Sequence, residues 1–470
     1  MKKITLLLPL LLVLSMLNGC HSGGSSNTQS TVRLVNGVSN SSLNMFWSGN
    51  TSASAITATP VAYGQASKGV AISNGVSNIA LASSGGTPAG GTPFSFSGSY
   101  SYTMLSYQTY PFGPSTPSLQ IAQLIDNQIV PGTGNGLIGV ADYSGAGILD
   151  VYIELVSSGK DNTNSYPWAA GISGKTTYST VPVSTLPSAA YQIWVTGASN
   201  PSDVRLYIPS VTIGNQQILT LVLTPTTGGG LVDGLVILQQ GQTPLAGQQT
   251  VTSYKNGSVR VRVAGNFAAN GVISSATTTA NGSTNLLSTN LTSPSVGSYV
   301  VVPLSGGNQA NPNPQATGVA AATLPLTITV NGVATGVTAT ATPGADLTLL
   351  AYGTTPRYTL LTDDNTLPSS GYAKLRLVNG VNSIGAGTIS LTYGSISVPK
   401  SQNVALGTAS AATSLLIPGG TPNSIGVSGG PAFAPIQPVL LSQGVYSLFM
   451  LGDTTAASGV ISSDHSYQGP

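Results

Sequence analysis

Charge is what this sequence lacks most. Only 6% of its 470 residues are Asp, Glu, Lys or Arg, against about a quarter in ordinary soluble domains. Glu154 is the sole glutamate, so the mixed-charge faces of amphipathic helices have little to form from. Cys20 is the one cysteine, which excludes an internal disulfide. His21 and His465 are the two histidines, too few for a histidine-based zinc site when no cysteine pair can help. The fourteen basic and twelve acidic residues become twelve and twelve once Lys2 and Lys3 of the leader are set aside. No basic stripe remains to neutralise phosphates, which argues against nucleic-acid binding. Steering of a charged partner has no basis either.

What is present favours strands and turns. Glycine fills 58 positions and proline 30, while 41% of residues are hydrophobic, many of them Val, Leu and Ile in short runs. Such a chain buries real cores, so disorder is not the default. Its length leaves room for three or four domains.

Met1-Lys2-Lys3 is a short positive segment, followed by an almost wholly aliphatic run over residues 4–16. This run is shorter than a bilayer span and has the form of a signal-peptide core. It ends in Leu17-Asn18-Gly19-Cys20, which resembles the bacterial lipoprotein box. That resemblance implies cleavage before Cys20, diacylation of its sulfur and acylation of the new amino terminus. Several acyl chains together give stable anchoring. Residues 22–30 read as a flexible Gly/Ser tether. His21 and Ser22 stand where an Asp retains some bacterial lipoproteins at the inner membrane, so the outer membrane is the expected location. No second span follows.

After the tether, Val32-Arg33-Leu34-Val35-Asn36-Gly37-Val38 returns as Leu375-Arg376-Leu377-Val378-Asn379-Gly380-Val381. Looser echoes occur at Leu137-Ile138-Gly139-Val140-Ala141 and Val259-Arg260-Val261-Arg262-Val263. Starts roughly a hundred residues apart suit one β-sandwich each. Each Asn-Gly is expected to take positive φ and turn the chain. The expected division is a leader at 1–19, the lipidated cysteine and tether at 20–30, and modules at 31–134, 135–252, 253–369 and 370–470. Predicted strands include 43–47, 76–82, 100–107 and 119–125 in the first module, and 148–156, 191–196, 204–208, 218–224 and 231–238 in the second. In the third, residues 274–292 and 305–317 are polar and read as long loops, with strands at 326–330, 347–352 and 358–361. The fourth has 374–379, 388–393, 414–417, 439–441 and 445–451. The segments before the second and fourth modules also correspond: Leu124-Ile125-Asp126-Asn127 then Pro131, and Leu361-Thr362-Asp363-Asp364-Asn365 then Pro368. Duplication of a two-module unit would explain this.

On these residues the chain resembles the bacterial domain of unknown function 4397 family. Members open on a strand like Arg33-Leu34-Val35-Asn36 and continue into one like Leu149-Asp150-Val151-Tyr152. The likeness is clear at the first and last repeats and fades in the third module, where Ala264-Gly265 replaces Asn-Gly. It implies tandem immunoglobulin-like sandwiches in exported or anchored proteins, and no known chemistry.

Candidate chemistry is sparse. Tyr100, Tyr102, Tyr107, Tyr110 and Phe112 crowd one hairpin, and Tyr166-Pro167-Trp168 occupies a loop. If exposed, Tyr100, Tyr102, Tyr107, Tyr110 and Trp168 would stack on sugar faces; the competing reading is core or corner residues. Gly426-Val427-Ser428-Gly429-Gly430 matches a nucleophile elbow, with Asp453 and His465 in α/β-hydrolase order. Pro431, Pro435 and Pro438 forbid the helix that such an elbow requires. Asp161-Asn162-Thr163-Asn164 and Asp363-Asp364-Asn365 offer oxygens to calcium but suit turns better. Asp150 and Glu154 are expected on a solvated strand face; Arg33 and Arg376 could pair with a carboxylate, though the first module has none before Asp126, and hydrogen-bonded, snorkelling residues at sheet edges are the preferred reading. A membrane β-barrel is disfavoured by the short, irregular strands. The expectation is therefore an all-β, lipid-anchored, non-enzymatic envelope protein without cofactor or metal. Its partners would be the membrane and either a glycan or another envelope protein.

Overall fold

The computed structural model describes residues 29–466, except 40, 48–54, 89, 99, 110–117, 127–128, 174–182, 247, 266–271, 281, 293, 305–323, 354–356, 382–387, 418–423, 431–434, 454 and 456. Cys20, Tyr110, Phe112 and the polar stretch 305–317 lie outside the described residues. Helical structure among those described is confined to the 3-10 turns Val156–Ser158 and Pro399–Ser401. Among the described residues no helix is long and apolar enough to cross a membrane.

The protein is a tandem array of four immunoglobulin-like β-sandwiches built on one plan. In the first, Gln29–Asn36 pairs antiparallel with Val70–Ser73 and parallel with Ser101–Thr109, which pairs in turn with Ser118–Asp126. The facing sheet joins Val61–Ala62, Ser42–Trp47, Gly75–Ser83 and Thr92–Phe96. The same order recurs in the second sandwich, where Asn135–Asp142 pairs parallel with Ile218–Pro225. It recurs again in the third, with Ser258–Gly265 beside Asp346–Tyr352, and in the fourth, with Tyr372–Asn379 beside Gly444–Gly452. Each sheet is open at both edges, so none forms a closed barrel.

Each sandwich has its own apolar core. Val32, Leu34, Met45, Ile79 and Met104 fill the first, and Leu375, Leu377, Ile389, Leu391 and Leu448 the fourth. Two further clusters cross between sandwiches. Val35, Leu105 and Tyr107 of the first meet Ala141, Val222 and Leu235 of the second; Ala264 and Leu350 of the third meet Val378, Phe449 and Leu451 of the fourth. The opening strand of each repeat is therefore covered on both faces, which is why its apolar run is continuous rather than alternating.

The Asn-Gly pairs of the repeat work differently from expectation. Neither Gly37 nor Gly380 has positive φ. Asn36 Oδ1 instead accepts from Val38 N and its Nδ2 donates to Val61 O; Asn379 does the same with Val381 and Val404. A Cβ at Gly37 would stand 2.7 Å from Ser106 O, and one at Gly380 2.9 Å from Leu451 of the same sandwich and 3.2 Å from Leu350 of its neighbour. Glycine is there for close approach. Asn331 and Gly332 do make a positive-φ hairpin turn between Leu324–Val330 and Val333–Ala341.

Two other expectations need correction. Residues 274–292 are no loop: Val272–Ala280 and Ser283–Thr292 form a hairpin whose inward residues, Ile273, Ala276, Ala280 and Leu287, are separated by Thr and Ser. Residues 439–441 are not a strand, and Val439 and Leu441 are exposed.

The two pairs of sandwiches meet at three consecutive glycines, 228–230. Gly228 N donates to Gly344 O, and Asn365 N donates to Gly228 O. A Cβ at Gly230 would fall 1.6 Å from the Arg260 guanidinium. Replacing Gly230 by Ala overpacks this contact, at an expected cost of about 1–3 kcal/mol. Urea denaturation of G230A checks this; an unchanged midpoint would show that the glycine contact is not tight.

Candidate functional site

Charged side chains are few, yet the arginines lie mostly inside. Arg33, Arg205, Arg260, Arg262 and Arg376 are buried, and Arg357 is exposed. Arg33, Arg260, Arg262 and Arg376 lie on the opening strands of the first, third and fourth sandwiches, where sandwiches touch, and Arg205 on Asn200–Ile213 in the other sheet of the second.

One three-residue pattern recurs across neighbouring strands. In the first sandwich Arg33 Nε donates to Thr103 Oγ1, Thr103 donates to Asp126, and Arg33 Nη2 lies 3.4 Å from Asp126. The third carries Arg262, Thr348 and Asp363, and the fourth Arg376, Ser447 and Asp464. Parallel pairing sets Arg33 opposite Thr103, Arg262 opposite Thr348 and Arg376 opposite Ser447, so backbone register builds the pattern. The second sandwich has Gly139 opposite Thr220 at this register and no arginine.

Between the third and fourth sandwiches the pairs are exchanged. Arg262 Nη1 bonds Asp464 of the fourth, while Arg376 Nη2 donates to Asp363 of the third at 2.6 Å. Tyr299 lies beneath Arg260 and Arg262, at 4.6 and 4.4 Å from its ring, and donates its hydroxyl to Asp363. Arg260 grips Asp346 through two bonds, and Asn365 bonds the same carboxylate. Burial pushes the Asp464 carboxyl up, but Arg262 and Arg376 outweigh it and hold it below its usual range. At the first–second contact Arg33 is the one arginine of this pattern, and its Nη2 also donates to Leu238 O of the second sandwich. There burial outweighs Arg33, and Asp126 stands above its usual range.

Asp363 is thus occupied by Arg376, Thr348 and Tyr299, and Asp364 by Lys374 and Thr366. Their bonds are spent on joining sandwiches, which leaves calcium little to claim. Asp161 accepts from Thr163 and Asn164 in a local turn. No group of three His, Cys, Asp or Glu placed to hold a metal occurs among the described residues. Asp150 corrects its expectation: it is buried and accepts from Gly171 N and Ser199 N. Arg33 and Arg376 do not snorkel. Sequence reading missed their partners because the carboxylate of Arg33 lies 93 residues away. The signal available was the Asp at the end of each corresponding pre-module segment, Asp126 and Asp363.

The hydrolase residues are not assembled. Asp453 follows the turn end of a hairpin and binds Thr455. His465 pairs with Val445 at the open end, while Gly452 pairs with Ala457. At roughly 3.3 Å per residue the two are on the order of 20 Å apart. Ser428 belongs to the other sheet, opposite Ser390.

Among the described residues of the aromatic row, Tyr102 and Tyr107 are buried. Tyr102 is 2% exposed and packs edge-on to Phe96; Tyr107 is 3% exposed and packs on Tyr143 of the second sandwich. These rings fill core and interface rather than offer faces to a sugar. Tyr100 is 40% exposed, and Trp168 is half-buried against the second core. A cavity of about 510 Å³ opens between the sheets of the first sandwich, lined by Leu43, Ile79, Leu81, Leu119, Ile121 and Gln108 among others, with no titratable side chain.

No family model matches the chain, and no curated protein matches it. Among solved structures, the Bacillus anthracis TIE protein aligns at 8% identity over 71% of this chain and 51% of its own, with a TM-score of 0.13. The pilus adhesin SpaC from Lactobacillus rhamnosus GG, in its open conformation, aligns at 13% identity over 72% and 43%, with a TM-score of 0.12. The chain spans about half the length of these neighbours. TM-scores this low do not define a shared fold.

Removing one partner from a buried pair strands the other charge, at about 3–5 kcal/mol. Asp464→Ala should lose that much at pH 7, and Asp126→Ala less, since burial already disfavours its charge. The Asp464 contribution is present above its ordinary value of 3.8 and lost as pH falls through its lower folded value. Asp126 has the opposite sign: its contribution is full below 3.8 and lost as pH rises through its raised folded value. Urea melts at pH 7 and pH 4 compare them; equal losses at pH 7 would contradict the two-arginine account.

Proposed function

We propose that this protein is a non-enzymatic, lipid-anchored component of the bacterial cell envelope with a structural, display or adhesion-type role. One observation carries the reading: Arg262, Arg376, Asp363 and Asp464, buried where charge is scarce, are used in exchanged pairs that clamp the third sandwich to the fourth. A chain that spends its scarce charge on rigid joints is built to hold a shape.

Cys20, in its lipoprotein box, supplies the anchor through thioether-linked and amide-linked acyl chains. The expected place is the outer membrane, with the sandwiches presented to a glycan or another envelope protein. Neither nucleic acid nor a cofactor enters this role.

Metabolic labelling with an alkyne-bearing palmitate analogue tests the anchor. The wild-type chain should carry the label and fractionate with membranes, and Cys20→Ala should do neither. Protease shaving of intact cells then tests display, with loss of the protein expected. An unlabelled wild-type protein free in the periplasmic extract would sink the proposal.

A further inference from the structure

His465 stands where three sandwiches converge. Its strand, Ala457–Ser466, closes the first sheet of the fourth sandwich, and its ring is buried. Nδ1 meets the carbonyl oxygen of Asn365, on the segment between the third and fourth sandwiches. A carbonyl only accepts, so Nδ1 carries the proton and Nε2 keeps its lone pair. Nε2 has no hydrogen-bond partner, although the Ala146 backbone of the second sandwich is near.

The charged groups facing the ring come from two other sandwiches. Arg205 of the second donates to Asp203 and to Gly230 O, and the Asp203 carboxylate, of opposite sign, faces His465 as well. Arg260 of the third is held by Asp346. Asn365 and Ala146 present backbone to the ring. This is also the place where glycines 228–230 meet Arg260, Asp346 and Thr366 too closely for any side chain.

We propose that His465 is an acid-operated catch between the two pairs of sandwiches. Neutral, it fills the junction and bonds Asn365. Protonated at Nε2, it sets a third buried cation beside Arg205 and Arg260, and the first–second pair separates from the third–fourth pair. Within the third–fourth pair the Arg262–Asp464 and Arg376–Asp363 bonds do not involve His465, so that pair stays joined.

The sign follows from the geometry. Burial, then Arg205, and also Arg260 oppose the proton, and the bond to the Asn365 carbonyl and the nearby Ala146 backbone only partly offset them, so the imidazole is held down at about 4 against an ordinary 6.5. Above 6.5 the ring is neutral whether the junction is open or closed. Below it the open form takes the proton first, so closure weakens progressively from 6.5 down to about 4.

Small-angle X-ray scattering of the full chain across pH 7 to 3.5 tests this. The radius of gyration should rise reversibly with a midpoint between 6.5 and 4, and His465→Gln should stay compact throughout. The proposal is overturned by a wild type that keeps its size, or by H465Q expanding along with it. A second reading does not depend on that variant folding. His21 is the only other histidine, so the imidazole nitrogen resonances of His465 can be followed in the intact protein, and their midpoint must coincide with the expansion. Asp233 is the control. Burial pushes its carboxyl up to about 6 against Lys255, at the first–second contact. Asp233→Asn should leave the expansion unchanged, and its abolition there would move the switch away from His465.

Discussion

The structure depends on arginine–aspartate pairs buried between sandwiches rather than within them. A sandwich with one apolar face per sheet is complete alone. Here the outer face of each first sheet carries a second set of apolar residues, Val35 and Leu105 or Val378 and Phe449, which demands a neighbour. Aliphatic faces slide easily, because their attraction is non-directional. An arginine held by a hydroxyl on the next strand and a carboxylate on the one after admits one register. The ion pairs thus select the arrangement, while apolar area supplies most of the attraction. Desolvation offsets much of what a buried pair gains, so specificity is the better account of their presence.

The two contacts are not equivalent, and the difference traces to one strand. In the third–fourth contact both sandwiches bring an arginine and an aspartate, and each arginine reaches across to the other's carboxylate. The second sandwich has Gly139 at this position, so Arg33 keeps its own Asp126 and caps the Leu238 carbonyl instead. One guanidinium then faces one buried carboxylate, and desolvation wins at Asp126 where it loses at Asp464. Equivalent folds thereby give joints of different strength and opposite dependence on acid.

Much of the fold was legible in the sequence, for identifiable reasons. The opening strands were found because burial on both faces leaves an aliphatic run that no turn imitates. Strand 218–225, buried along nearly its whole length, was legible likewise. The hairpin at 272–292 was not, because two of its four inward apolar residues are alanine and most of the rest are Thr and Ser, so alternation carries little contrast. The last strand, Ala457–Ser466, is hidden by the same small residues. Asn-Gly was misread since the pair has two uses, a positive-φ turn or a side-chain bridge beside a close backbone contact. Only the second operates at Asn36 and Asn379. The aromatic hairpin misled for a related reason: a tyrosine's ring suits an interior as well as a surface, and Tyr107 meets Tyr143 across a contact no local pattern announces.

The charged joints were the least legible, and their concealment is physical. Composition reports how many charges a chain has, not where they go, and a neutral, charge-poor chain reads as one with nothing electrostatic to do. Scarcity at the surface and concentration in the interior are the same fact here. Hydroxyls and amides keep the outside wet. Buried between sandwiches, each remaining charge is screened little by salt and interacts far more strongly than at the surface. Asp363 shows the consequence: sequence offers it as a turn residue or a calcium ligand, while two arginines reaching it from two different sandwiches make it the fixed point of a joint.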